Sequence, residues 1–240
     1  LNKVVKEKRE NANNVFDKLS MARGHGYNSE DLLAWSGEQL ALREQLPQLF
    51  HQGNTVKFFD FSMDFPMKNY YLNEVMKEDL DVMLFHHHGG TTAQYINGFP
   101  NPKTVPGYIE EIKRYLRSKI PAIAEKKGKE AAIEQFVKQY NVPRNWCEEA
   151  FDPEILKEDS LFNLTLDIAA EEIHQLTPNA RFVMFDACFT GSFQLDDCLA
   201  GAYLFTDGKT MAVQACSVNS IQDKWPNELL GLLAAGMRIG

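Results

Sequence analysis

Apolar and polar positions change period several times along the chain, and each change marks an element. The run Thr55 to Phe61 carries Val56, Phe58, Phe59 and Phe61 and predicts a strand, and residues 69 to 79 predict a helix. Asp81-Val82-Met83-Leu84-Phe85 is a short continuous apolar run, as expected of a strand buried on both faces. Arg181 to Phe185 and Thr210 to Ala215 have the same character. Between them, Ile109, Ile112, Leu116, Ile120 and Ile123 keep a spacing of three and four, and Lys126 to Tyr140 repeats it. Pro121, Pro143 and Pro153 are expected to divide this block into three or four helices. Residues 101–179 thus read as a helical insertion in a single domain spanning 1–240. Residues 1 to about 50 read as polar and helix-prone, and Asn227 to Met237 as a closing helix.

Three of the apolar runs finish in chemically capable residues. The first ends in His86-His87-His88-Gly89-Gly90, the second in Asp186-Ala187-Cys188-Phe189-Thr190-Gly191, and the third in Cys216-Ser217-Val218-Asn219. Parallel α/β sheets gather their ligands beyond the carboxyl ends of the strands, where residues distant in sequence meet. A thiol becomes a nucleophile when a base takes its proton, and histidine titrates near neutrality. Gly89 and Gly90 allow a tight turn that brings backbone N–H groups near a substrate carbonyl, and Gly191 is expected to keep the exit from Cys188 clear.

Other readings of the same residues stay open. A strand-end cysteine also serves as a small core residue. His86 and His88 fall on one face of a strand and suggest a metal site, but no neighbouring histidine or carboxylate cluster completes a zinc shell. No metal or cofactor is therefore expected. His25, His51 and His174 read as ordinary surface or helix residues.

Composition narrows the classes. A formal net charge of -8 argues against nucleic acid as a partner. Four cysteines, none in a CxxC pair, suit neither a zinc ribbon nor a disulfide scaffold, though one or two bridges would fit. No apolar run reaches the length of a membrane span.

An apolar strand ending in His-Gly, followed by one ending in Asp-Ala-Cys-x-x-Gly-x-Phe, resembles the caspase-like clan of cysteine peptidases and, within it, the gingipain family. The resemblance runs over Asp81 to Gly90 and Arg181 to Gly240. It implies an α-β-α sandwich around a mostly parallel sheet and an endopeptidase acting on peptide or protein substrates. It also implies an extracytoplasmic or secreted setting. By the same resemblance His88 and Cys188 form the catalytic dyad, and the N–H groups of Gly89 and Cys188 form the oxyanion hole. Trp225, Ser217, Asn219 and Asp186 then contact substrate, with Asp60 and Asp64 as candidates for a pocket carboxylate. A catalytically silent relative that binds or assembles is the principal alternative, and a histidine-dependent metallohydrolase the second.

Overall fold

The computed structural model describes residues 2–11, 15–24, 32–60, 67–97, 100, 102–220 and 225–239, with backbone alone for 32–38, 60 and 225–227. The chain packs into two compact units, one formed by residues 1–98 and 166–240 and the other by residues 99–165.

The first unit is an α/β sandwich. Among the described residues its main sheet has five strands: β1 (Lys18–Arg23), β2 (Thr55–Asp60), β3 (Val82–His86), β6 (Phe182–Asp186) and β7 (Ala212–Gln214). They lie in the order β2-β1-β3-β6-β7, and every neighbouring pair is parallel. The chain leaves β1 for β2 on one side and later builds β3, β6 and β7 on the other. The strand order therefore reverses between β1 and β3, and in sheets of this kind ligands gather at the carboxyl ends near such a reversal.

Alternation along the strands divides the core. Leu19, Met21, Val82, Leu84, Phe182 and Met184 face a cluster completed by Leu42 of α2 (Leu32–Gln45) and Leu230 of α10 (Trp225–Ala234). Ala22, Met83, Phe85, Val183 and Phe185 face the other cluster. That cluster is completed by Tyr71 of α3 (Met67–Asn73), Ile173 of α8 (Ala170–Ile173) and Tyr203 of α9 (Leu199–Phe205). The Phe85 and Phe185 rings stack at 5.4 Å across β3 and β6. Both faces are covered, which is why the strands read as unbroken apolar runs.

β1 was not expected. Lys18-Leu19-Ser20-Met21-Ala22-Arg23 holds no β-branched residue and sits in a polar region, yet it occupies an interior place in the sheet. Tertiary partners hold it in place instead, among them Tyr71 for the Ser20 side chain and Asp79 for the Lys18 side chain. The Ser20 hydroxyl lies 2.8 Å from the Tyr71 hydroxyl, and the Asp81 carboxylate accepts the N–H groups of Asp17 and Lys18. Asp79 anchors the same end by ion pairs with Lys209, Lys18 and Arg181, which hold its carboxyl below the usual range. Arg181 also pairs with Glu7 of α1 (Asn2–Glu10), which fastens that helix to the start of β6.

A second, two-stranded antiparallel sheet joins β4 (Ala93–Gln94) to β5 (Ile168–Ala169). The residues between these strands include the helical unit: α4 (Val105–Lys127), α5 (Lys129–Tyr140), α6 (Arg144–Glu148) and α7 (Pro153–Leu166). Its core is Leu116, Ile120, Ala132, Ile133, Phe136, Cys147 and Ala150. The buried guanidinium of Arg117 binds Glu110, Glu149 and Asp159.

Three boundaries differ from expectation. Pro121 does not divide the block: α4 runs through it and ends at Gly128, whose φ of 86° suits glycine. Burial of Leu116 and Ile120 offsets the hydrogen bond that a proline removes. Residues 166–179 also belong to the sheet unit, where Ile168, Ala170 and Ile173 enter its core. The expected helix 69–79 is α3 followed by a 3-10 turn, Val75–Lys77.

Candidate active site

β3 and β6 are neighbours in register, with Leu84 opposite Met184, Phe85 opposite Phe185 and His86 opposite Asp186. This register delivers His88 and Cys188 to the same end of the sheet. Both are accessible: His88 is exposed and Cys188 half-buried.

The turn after β3 touches the turn after β6 directly. A Cβ built on Gly89 would lie 2.6 Å from the Cys188 carbonyl oxygen, 2.8 Å from the Thr190 methyl and 3.0 Å from the Ala187 Cβ. Only glycine fits that approach. Gly89 forms an antiparallel bridge with Gln94 in which Gly90 N–H donates to Ala93 and Tyr95 N–H donates to His88. In that pattern the N–H and C=O of Gly89 itself turn away from β4. The loop is fastened further where Ala170 N–H donates to Thr92, Leu199 N–H to Thr91 and the buried Tyr203 hydroxyl to Gln94.

Cys188 sits at the start of a tight turn. Phe189 adopts φ 58°, a left-handed conformation costly for a non-glycine residue, and the turn is closed by hydrogen bonds. Thr190 Oγ1 donates to the Ala187 carbonyl and Ser192 Oγ to the Phe189 carbonyl. Packing requires glycine at 191, since a Cβ there would lie 2.9 Å from the Cβ of Ala215. The segment after β7 covers the far side of this turn: Phe189 N–H donates to Val218 and Gly191 N–H to Cys216. The Cys188 thiol donates to the Ser220 carbonyl at 3.3 Å and accepts the Ser220 N–H at 3.3 Å.

The three histidines have separate environments. His87 is buried, with its ring near Phe85 and Phe185, and its Nδ1–H donates to the His88 carbonyl at 2.6 Å. His86 is fully buried on the opposite face, where its Nδ1–H donates to Asp186 Oδ2 at 3.0 Å. That bond and a residual exposure of 5% place the Asp186 carboxylate within the protein. The expected contact of Asp186 with substrate does not fit this burial. Arg23, the register partner of His86 on β1, is fully buried in the same row. Sequence reading missed Arg23 together with β1.

Ser217 and Asn219 are exposed on the segment that covers the Cys188 turn. The side chains of Trp225 and Asp60, and Asp64 and His25 entirely, lie outside the described residues. His51 is exposed, and His174 pairs with Asp197 at the surface. All four cysteines are free thiols. Cys198 caps α9, accepting the Gly201 N–H, and Cys147 is buried in the helical unit, where burial pushes its thiol up. Among the described residues, no group of three or more His, Cys, Asp or Glu is arranged to hold a metal ion, and no helix is long and apolar enough to cross a membrane. Compared with known proteins, the chain matches no family model, no curated protein and no solved structure.

Proposed function

We propose that this protein is a cysteine endopeptidase of the caspase-like type, with Cys188 as nucleophile and His88 as acid–base partner. The observation that carries the reading is the contact of Gly89 with the Cys188 carbonyl. It joins the histidine turn to the thiol turn and leaves the Gly89 N–H facing away from β4.

The reaction begins when the Cys188 S–H exchanges the Ser220 carbonyl for the His88 imidazole and passes its proton there. Sulfur attacks the peptide carbonyl carbon, and the oxyanion accepts hydrogen bonds from the N–H groups of Gly89 and Cys188. Each such donor contributes about 2.7–4 kcal/mol where one has been removed from an oxyanion hole. Collapse expels the amine, which takes the proton from His88, and a thioester remains. Water, deprotonated by His88, then attacks the thioester and releases the carboxylic acid and the thiol. Ser217 and Asn219, exposed beside the thiol turn, are the groove residues of this reading.

The test is cleavage of a mixed peptide library, read by mass spectrometry, with wild-type protein and Cys188→Ala. The reading requires cleavage by wild type, blocked by iodoacetamide and unchanged by chelators, and none by Cys188→Ala. Cleavage that survives Cys188→Ala contradicts it. Inertness of folded wild type that has been cut at its exposed loops supports the binding relative.

A further inference from the structure

The ladder between β3 and β6 is apolar until its last row. Leu84 faces Met184 and Phe85 faces Phe185, and then His86 faces Asp186. The polar pair is as buried as the apolar rows beneath it, at 0% and 5% exposure. Beyond it both chains leave the sheet, one into His88-Gly89 and the other into Ala187-Cys188.

Stability alone does not account for this pair. Taking an imidazole and a carboxylate out of water costs about as much as their attraction returns, and apolar residues of the same volume often stabilise as well or better. A hydrogen bond differs from an apolar contact in having a set length and direction. Here it ties the strand ends at the point where the turns that approach one another depart. The Gly89 approach to Cys188 has no spare room, so a small slip of β3 against β6 would close or open it. Arg23 extends the row to β1 and is also fully buried.

We propose that the His86–Asp186 pair is a positioning brace that sets the spacing of His88 and Cys188. The inference rests on the dyad reading above. His86 and Asp186 are positioning residues here, since they act through the two groups that meet the substrate.

The test compares Asp186→Leu, Asp186→Asn and the double variant His86→Leu with Asp186→Leu, each in the full chain and each with and without His88→Ala. Three quantities are read: the melting temperature, kcat and KM on a cleaved peptide, and the rate at which iodoacetamide alkylates Cys188, located by peptide mapping. The double leucine variant is expected to fold, to keep KM within about twofold and to lose roughly 100-fold in kcat, the scale of an ångström-level misplacement. It is also expected to lose the acceleration of alkylation that His88 provides in wild type. Asp186→Asn, which still accepts from the Nδ1–H, recovers most of what Asp186→Leu loses. Wild-type kcat and an intact His88 effect in the folded double variant overturn the brace and leave the dyad standing. Absence of any His88 effect on alkylation in wild type overturns the dyad and the brace with it. A double variant that cannot fold assigns the pair to folding and also overturns the brace.

Discussion

His86 and Asp186 are register partners on adjacent parallel strands, their side chains 3.0 Å apart, and each stands at the second position before a residue of the proposed dyad. A partner removed from such a buried pair leaves the other group without compensation, at a cost of about 3–5 kcal/mol. His86→Leu and Asp186→Leu are therefore each expected to lower the melting temperature clearly. The double variant is expected to lose less than the two single losses added together. Thermal denaturation of the three variants measures that coupling, and additive losses would show that the two side chains do not depend on one another.

Gly89→Ala is expected to damage stability and turnover together. The added Cβ would meet the Cys188 carbonyl at 2.6 Å, and that oxygen belongs to the backbone, so the β3 and β6 turns must separate. Overpacking of this kind costs about 1–3 kcal/mol. Differential scanning calorimetry and kcat on the same preparation test it. Unchanged values for both would show that the turns have slack.

The cysteines should separate by place. Cys188→Ala is expected to abolish turnover with little change in melting temperature. Cys216→Ala should retain activity, because its half-buried sulfur lies 4.0 Å from the Phe185 carbonyl while its own carbonyl is occupied by Gly191 N–H. Initial rates of the two alanine variants decide this. Activity lost with Cys216 and kept without Cys188 would reverse the assignment.

Asp167, which leads into β5, has its carboxyl raised by burial to about 7, with the Lys68 cation opposing the shift. Burial of the neighbouring Tyr95 hydroxyl raises it as well, and the Asp167 charge adds to that shift. A carboxyl raised in the folded state favours folding below its unfolded pKa of about 4, and that contribution is lost as pH rises through about 7. Asp167→Asn is therefore expected to raise the melting temperature relative to wild type more at pH 8 than at pH 4. Equal differences at the two pH values would contradict the burial of this carboxyl.

Much of the sheet was legible because its strands are covered on both faces, which leaves runs such as Val82 to Phe85 and Phe182 to Phe185. β1 was not, because its burial depends on partners far away in sequence: Tyr71 for Ser20 and Asp81 for the amides of Asp17 and Lys18. Pro121 misled for a related reason, since packing of the helical unit outweighs a local breaker. At the site, the convergence of His88 and Cys188 follows from strands that end in His-Gly and in Asp-Ala-Cys. The burial of Asp186 against His86 did not, because a carboxylate before a strand-end cysteine looks the same in sequence whether it turns outward or pairs with a histidine on the next strand. The signal was present in the equal spacing of His86 and Asp186 from His88 and Cys188.

Of the three contiguous histidines, His88 alone is proposed to exchange the proton with Cys188. The decisive comparison is kcat for His86→Ala, His87→Ala and His88→Ala, each shown to be folded first. His88→Ala is expected to lose roughly 100- to 10,000-fold, the range of general acid–base catalysis. A smaller loss is expected for His86→Ala, through the brace. His87→Ala should lower the melting temperature with little change in kcat, since that ring packs against Phe85 and Phe185. A wild-type kcat for His88→Ala would contradict the cysteine–histidine mechanism.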